Sequence, residues 1–461
     1  MSGAGQLIGL EVHAYLATQA KMFCACPNRF WDAEPNTLLC PVCTAQPGAK
    51  PLAPNAAAFE LGLQLAGALG CDVTQEPVRF LRKHYFYPDL PSNYQRTSLP
   101  FARGGQVAGV TIREIHWEED PGAFDPKLGI VDFNRSGAPL IELVTEPEVK
   151  SPAHARELLE EVRLALSYLG ALAPAGMKAD ANISLQGGER VEVKNLNSAR
   201  NVELALQHEA KRQAEVLAQG QKVARETRHF DETFLRTAPL RAKESEEDYR
   251  YLPDPDLPAL AVAPLWERVR ASQLPSPFAL RAQWVRDLAV TPEACAVLLA
   301  ERGLAACFLE LQGQGPGRDA FEFLVGDLKR ELNYRSVTFA GSGLGPADLA
   351  PLLQAQAAGL PRARAVALLR TRLDEGAEAF ARALAQESTA SLTGDALAEA
   401  VRAAIAAQPK AIEDYRKGKR EALHRVMGDA MKRLGGRADP AALRAAIVAE
   451  LGEPGPPEGA R

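Results

Sequence analysis

Cysteine is scarce. Seven thiols in 461 residues do not frame a disulfide-stapled secreted domain. Long apolar runs are missing too: the stretch richest in Ala and Leu, 56–70, is broken by Glu60 and Gln64, too short an apolar run to span a bilayer. No basic segment precedes an apolar core at the N-terminus, so no secretory signal is expected. Neither sign of charge dominates. A net charge of −5 argues against a strongly basic nucleic-acid binder, although a sum hides local patches. There is no repeat of fixed period. Neither a G-x-x-x-x-G-K-[ST] loop nor a G-x-G-x-x-G turn after a strand occurs, so any nucleotide is held without a P-loop or a Rossmann turn. What is present, 46% hydrophobic and 24% charged residues, is globular composition and excludes global disorder.

Up to about residue 258 strand and helix patterns mix. Residues 8–16 alternate, with Ile8, Leu10 and Val12 set against Glu11 and His13. Residues 110–118, 129–133, 180–185 and 190–194 are further strand candidates. Ser151 reads as an N-cap with Pro152 at the first helical position. Ala155, Leu158, Leu159, Val162 and Leu166 then recur at helical spacing, and Gly170 ends the helix. A second helix of the same kind runs over 198–220. Beyond residue 258 Ala, Leu and Arg dominate, and 287–312, 319–333 and 347–376 read as helices with polar breaks. The expected fold is therefore α+β, a mixed sheet-and-helix domain over 1–290 followed by all-helical domains over 291–390 and 391–461.

Four of the cysteines fall close together, as Cys24-Ala-Cys26 and Cys40-Pro-Val-Cys43 with thirteen residues between the pairs. Two short-spaced thiol pairs joined by a loop suit tetrahedral Zn²⁺, and four thiolates leave no open position, so the role is structural. Free thiols are the alternative. Cys71, Cys295 and Cys307 read as buried structural residues.

Alternate side chains of a strand share a face. Glu11 and His13 therefore point together, as do Asp180, Asn182 and Ser184, and Arg190, Glu192 and Lys194. Such strands form either the solvated outer face of a sheet or an active-site floor. In the second case Glu11, Glu118 and Glu119 suit Mg²⁺, and Arg190, Lys194 and Asn195 suit phosphate oxygens. Residues 83–95, KHYFYPDLPSNYQ, pack aromatics, polar groups and prolines into one stiff segment of the kind that walls a site or a channel.

These stretches resemble one family, the B subunit of the bacterial aspartyl/glutamyl-tRNA(Asn/Gln) amidotransferase. The resemblance lies in 8–13 (IGLEVH), the cysteine cluster, 83–95, 115–122 (IHWEEDPG), 132–137 (DFNRSG), 139–147 (PLIELVTEP), 180–184 (DANIS) and 192–198 (EVKNLNS). It continues through 226–228 (ETR), 241–244 (RAKE) and 248–257 (DYRYLPDPDL). It is dense over 6–258, moderate at 414–419 and weak over 260–400. One departure is Met177-Lys-Ala-Asp-Ala-Asn182, where the family usually has Arg and Cys in place of Lys178 and Ala179.

The resemblance implies a cradle-shaped catalytic domain that uses ATP and Mg²⁺. It phosphorylates the side-chain carboxylate of Glu or Asp misacylated on tRNA(Gln) or tRNA(Asn). Channelled ammonia then gives Gln-tRNA(Gln) or Asn-tRNA(Asn). The complex is a glutamine-hydrolysing ligase of the cytoplasm, and its heterotrimer includes a glutaminase A subunit and a small C subunit. This chain shows no glutaminase signature of its own. By position the resemblance assigns Glu11, His13 and Glu119 to Mg²⁺, with Glu118 beside them as a further catalytic residue. It assigns Asp180, Asn182, Glu192, Lys194, Asn195 and Glu209 to the pocket for ATP and the acceptor end. It assigns His84, Tyr85, Tyr87, Asp89, Asn93 and Gln95 to the ammonia channel or the tRNA end. The alternative is a non-catalytic, zinc-containing tRNA-binding or assembly subunit without membrane contact.

Residues 410–433 hold eight Lys and Arg against four Asp and Glu, a local +4 in a chain of −5. Arg416, Lys417, Lys419 and Arg420 lie there. Charge alone fits an RNA backbone or a solvated helix equally. The resemblance makes this region the part that grips tRNA.

Overall fold

The computed structural model describes residues 5–242, 249–312, 317–389, 394–417, 419–434, 438 and 440–452. The chain divides into two compact units, 1–287 and 288–461. The fold is α+β, with a large mixed sheet in the first unit and helices in the second.

The strands are β1 (Gln6–Leu16), β2 (Asp72–Val73), β3 (Phe80–His84), β4 (Tyr94–Ser98), β5 (Ala102–Arg103), β6 (Gln106–Val107), β7 (Val110–Glu119), β8 (Ala123–Asp125) and β9 (Ile130–Asp132). They continue as β10 (Pro139–Thr145), β11 (Leu172–Leu185), β12 (Val191–Leu196), β13 (Glu226–Asp231), β14 (Arg236–Ala242) and β15 (Leu252–Pro253). Among the described residues thirteen strands form one sheet, whose main path runs β14-β13-β12-β11-β1-β10-β7-β4-β3-β15. β1 lies inside it, antiparallel to both β10 and β11. β8 and β9 form a separate hairpin.

Two helices follow the capping grammar of the sequence. α1 (Ala56–Ala68) comes first, capped by Asn55. In α2 (Pro152–Tyr168) the Ser151 side chain accepts from the His154 N–H, and Gly170 after the helix takes φ +65°. α3 (Ala199–Ala218) repeats the arrangement with Ser198 and Gly220. β12, α3 and the parallel β13 make one crossover unit. The odd-numbered residues Trp117, Ile141, Ala179 and Val193 are buried, as is Val12. Phe59 of α1 meets Trp117 edge-on at 4.8 Å, so this face is the core and α1 covers part of it. Residues one position along each strand turn to the opposite face.

In the second unit the segments expected as helices with polar breaks are interrupted helices. Between residues 287 and 312 the chain forms α4 (Pro292–Leu299) and α5 (Arg302–Gln312). The 319–333 segment contains a π-helical turn, Phe323–Leu328. The last helices are α6 (Gly394–Ala407), α7 (Pro409–Arg416), α8 (Leu423–Arg433) and α9 (Pro440–Leu451). They share a core of Val401, Ala404, Ile412, Tyr415, Val426, Leu443 and Ile447.

Candidate active site

Register builds the site. Glu11 stands opposite Asp180, and His13 stands opposite Glu142 on one side and Lys178 on the other. Glu142 in turn faces His116. Directly opposed residues share a face, so one row, Lys178–His13–Glu142–His116, crosses four strands. Glu118 lies two residues beyond His116 on the same face. The ligand atoms of Glu11, His13 and Asp180 lie within 4.8 Å of one another, and so do those of His13, Glu118 and Glu142.

Four carboxylates around one imidazole carry an electrostatic cost. Burial pushes Glu142 up to about 7, reinforced by Glu118 and opposed by His13. Burial also raises Glu11, with Glu142 and Asp180 adding to it, while His13 and Lys194 pull it back. For Asp180 burial works the same way, but Lys194 and His13 outweigh it and hold the carboxylate low. The Nδ1 atom of His13 is buried with no hydrogen-bond partner among the described residues. Oxygen ligands, crowded negative charge and an unsatisfied ring nitrogen fit a hard divalent cation.

Beyond Asp180 the floor continues. Lys194 Nζ lies 2.7 Å from Asp180 Oδ2 and 3.1 Å from Glu192 Oε1. The backbone N–H of Asn195, at φ +60°, donates to Asp180 Oδ1 at 2.8 Å. Asn182 stands opposite Glu192, and its Oδ1 is buried without a partner among the described residues. The structure thus brings Asp180, Asn182, Glu192, Lys194 and Asn195 together beside the carboxylates. It does not bring Glu209. That side chain projects from α3 into its own buried network, accepting from Arg212 at 2.6 Å, Gln213 at 2.9 Å and Thr237 at 2.8 Å.

On the other flank Gln95 Nε2 donates to Glu118 Oε2 at 3.1 Å and to the Glu119 carbonyl at 3.0 Å. Tyr85 reaches Gln95 at 3.4 Å, and its ring meets Tyr249. His84 Nδ1 is 3.0 Å from the Arg250 carbonyl, and Tyr87 packs edge-on against Phe124. Asp89 keeps one buried oxygen without a partner among the described residues. Asn93 takes φ +58° in the turn. Of this segment Gln95 bonds Glu118 directly, Tyr85 reaches it through Gln95, and the Lys83 charge faces Glu118, Glu142 and Glu11.

Glu119 turns the opposite way from Glu118. It pairs with Arg96 at 2.9 Å, and Arg96 and Arg82 both grip Asp254, at 2.7 and 2.8 Å. The structure therefore places Glu118 and Glu142 with His13, and sets Glu119 in a separate ion-pair chain. Sequence reasoning gave Glu142 no role. The signal was there: it is the one charged residue in the apolar run Leu140–Val144.

The sulfur atoms of Cys24, Cys26, Cys40 and Cys43 also lie within 4.8 Å of one another, so this cluster can hold a metal. Lys21 donates to the Leu38 carbonyl at 2.9 Å and Ser136 to the Cys43 carbonyl at 2.8 Å, which fixes the loop beneath the thiols. Four soft donors fit zinc better than magnesium.

In the second unit Lys417 pairs with Glu413 at 2.6 Å, Lys419 with Asp414 at 3.0 Å and Arg433 with Asp429 at 2.7 Å. Arg416 and Arg425 are exposed. The side chains of Arg420 and of the 241–244 motif, together with Asp248, lie outside the described residues. No helix among the described residues is long and apolar enough to cross a membrane.

Comparison with known proteins gives a consistent result. A profile described as the GatB/GatE catalytic domain matches residues 6–267, and one described as the GatB domain matches 307–451. The chain is 42% identical over 442 residues to the B subunit of the aspartyl/glutamyl-tRNA(Asn/Gln) amidotransferase of Methanopyrus kandleri, covering 94% of this chain and 96% of that protein. It is 41% identical over 447 residues to the protein of the same name from Methanocaldococcus jannaschii, covering 94% and 95%. These relatives are archaeal, so a chain of this type and length does not by itself indicate a bacterial source.

Proposed function

Because the chain belongs to the GatB/GatE family of amidotransferase B subunits, we propose that it is the ATP-using subunit of a tRNA-dependent amidotransferase. Its substrates are Glu or Asp esterified to tRNA(Gln) or tRNA(Asn). One observation carries this reading: Glu11, His13, Glu118, Glu142 and Asp180 converge on one face of the sheet, a donor set that a purely RNA-binding surface does not need.

A carboxylate resists ammonia because it has no good leaving group. Attack of a carboxylate oxygen on the γ-phosphorus of ATP forms an acyl phosphate and releases ADP. Ammonia then displaces inorganic phosphate, losing a proton, to leave the amide. The five residues would hold Mg²⁺, which supplies charge neutralisation at the phosphoryl group. Gln95 keeps Glu118 oriented through its 3.1 Å hydrogen bond. Lys194 and the Asn195 N–H keep Asp180 ionised and aimed. Tyr85, Tyr249 and Gln95 form a wall suited to the approach of ammonia from an A subunit, with a small C subunit completing a heterotrimer. Cys24, Cys26, Cys40 and Cys43 would hold a structural zinc. Residues 1–290 do the chemistry, 391–461 hold the tRNA body through exposed cations such as Arg416, and 291–390 connect them. Such a subunit works in the cytoplasm.

The test uses the assembled complex with ATP, Mg²⁺, ammonia and each misacylated tRNA in turn. ADP and amide are followed for wild type, Glu11→Ala and Glu142→Gln. Both variants should lose about 100-fold in rate, in the range set by loss of metal-site groups. Wild-type rates in both would overturn the reading.

A further inference from the structure

We propose that Lys178 is the cation that receives the terminal phosphates of the nucleotide, an assignment that rests on the phosphoryl-transfer reading above. It follows from asking which positive charges on the floor are already engaged. Lys194 is held on two sides, at 2.7 Å from Asp180 and 3.1 Å from Glu192. Moving it to a phosphate would strip Asp180 of its partner. Lys83 lies over the Tyr249 ring at 4.9 Å, and its charge is already set against Glu118, Glu142 and Glu11.

Lys178 differs from both. Its nearest anion is Asp120, at 3.6 Å, beyond hydrogen-bond range. The hydrogen-bonded partners of that carboxylate, the Tyr15 hydroxyl at 2.6 Å and Arg135 Nε at 2.8 Å, are both on Oδ2, and Lys178 faces Oδ1 by charge alone. Arg135 is itself committed, donating further to the carbonyls of Pro121 and Gly122. The other neighbour of the Lys178 ammonium is the Tyr15 ring, at 5.9 Å. Three N–H donors on a lysine with about a quarter of its side chain exposed thus make no hydrogen bond among the described residues.

Position matters as much as the open donors. Lys178 stands directly opposite His13, in the same row as Glu142. Opposed β-carbons are separated by about 4.5–5.5 Å, so a lysine arm spans to whatever the carboxylates hold. Phosphoryl transfer needs a point charge on non-bridging oxygens next to the metal carboxylates. Lys178 can supply it without breaking a hydrogen-bonded ion pair.

The experiment measures equilibrium binding of a non-hydrolysable ATP analogue and of AMP to the assembled complex in Mg²⁺. Lys178→Met should weaken the triphosphate about 10- to 100-fold, the range of a charged hydrogen bond, and leave AMP unchanged. Lys178→Arg should restore most of the loss. In turnover, KM for ATP should rise while KM for the misacylated tRNA holds. Unchanged ATP-analogue affinity in Lys178→Met, or equal losses for the analogue and AMP, would overturn the assignment. If the wild-type complex itself neither binds the analogue nor releases ADP, the phosphoryl-transfer reading fails, and the assignment fails with it.

Discussion

Asp254 is a single carboxylate on which two strands depend. Its side chain is fully buried and is gripped by Arg82 of β3 and Arg96 of β4. Burial opposes its charge, but the hydrogen bonds from the two guanidinium groups hold it below the ordinary carboxylate range. A depressed folded value means that the stabilisation is complete above the unfolded value of about 3.9 and is lost as pH falls through the folded one. Asp254→Asn should therefore lower stability at pH 7 by about 3 kcal/mol, the scale for breaking a buried ion pair. It should also flatten the decline of Tm below about pH 4. A wild-type-like decline in the variant would contradict this. The same scale shows what a sequence leaves open at single positions. Glu118 and Glu119 are adjacent and equally acidic, yet only the pleat and its neighbours send Glu118 to His13 and Glu119 to Arg96.

Elements are legible where their signals are local. Ser151, Pro152 and Gly170 mark α2 because caps act within one turn, and the β1 alternation marks both of its faces. β11 is less legible. Its first half, Leu-Ala-Pro-Ala-Gly-Met, carries Pro174 and Gly176, which argue against a strand, and only pairing with β1 makes it one. Packing between elements is tight at Gly62 of α1, where an added β-carbon would sit 2.3 Å from Trp117 Nε1 and 2.9 Å from Ile141 Cδ1. Gly62→Ala should destabilise the first unit by about 1–3 kcal/mol through overpacking, seen as a lower denaturation midpoint. Equal or greater stability would show that α1 can shift. The cysteine loop makes a separate prediction. Cys40→Ser should drop zinc content from about one equivalent to well under half by elemental analysis and make residues 22–50 cleavable by protease. Retention of a full equivalent would remove Cys40 from the ligand set.

The whole molecule divides its charge as well as its structure. The −5 total conceals a carboxylate-rich floor in the first unit and the +4 segment in the second. Several of those cations are tied to neighbours one helical turn away, so the RNA-binding charge is smaller than a count suggests and rests on residues such as Arg416 and Arg425. Deleting 391–461 should weaken tRNA binding by at least about 100-fold at moderate salt while the first unit keeps its melting transition. Undiminished affinity would move the tRNA contact elsewhere. By itself the sequence determined the α+β class, the capped helices, the thiol pairs and which residues share a strand face, because each depends on groups within a few positions of one another. Only the tertiary structure decided that Glu142 and Lys178 flank His13, that Lys194 is paired at hydrogen-bond distance while Lys178 is not, and that Glu209 stands apart. The first of those facts depends on strand register, which pairs segments more than a hundred residues apart and is set by the burial of their opposite, apolar faces; the others depend on which side chains β12 and α3 bring within reach.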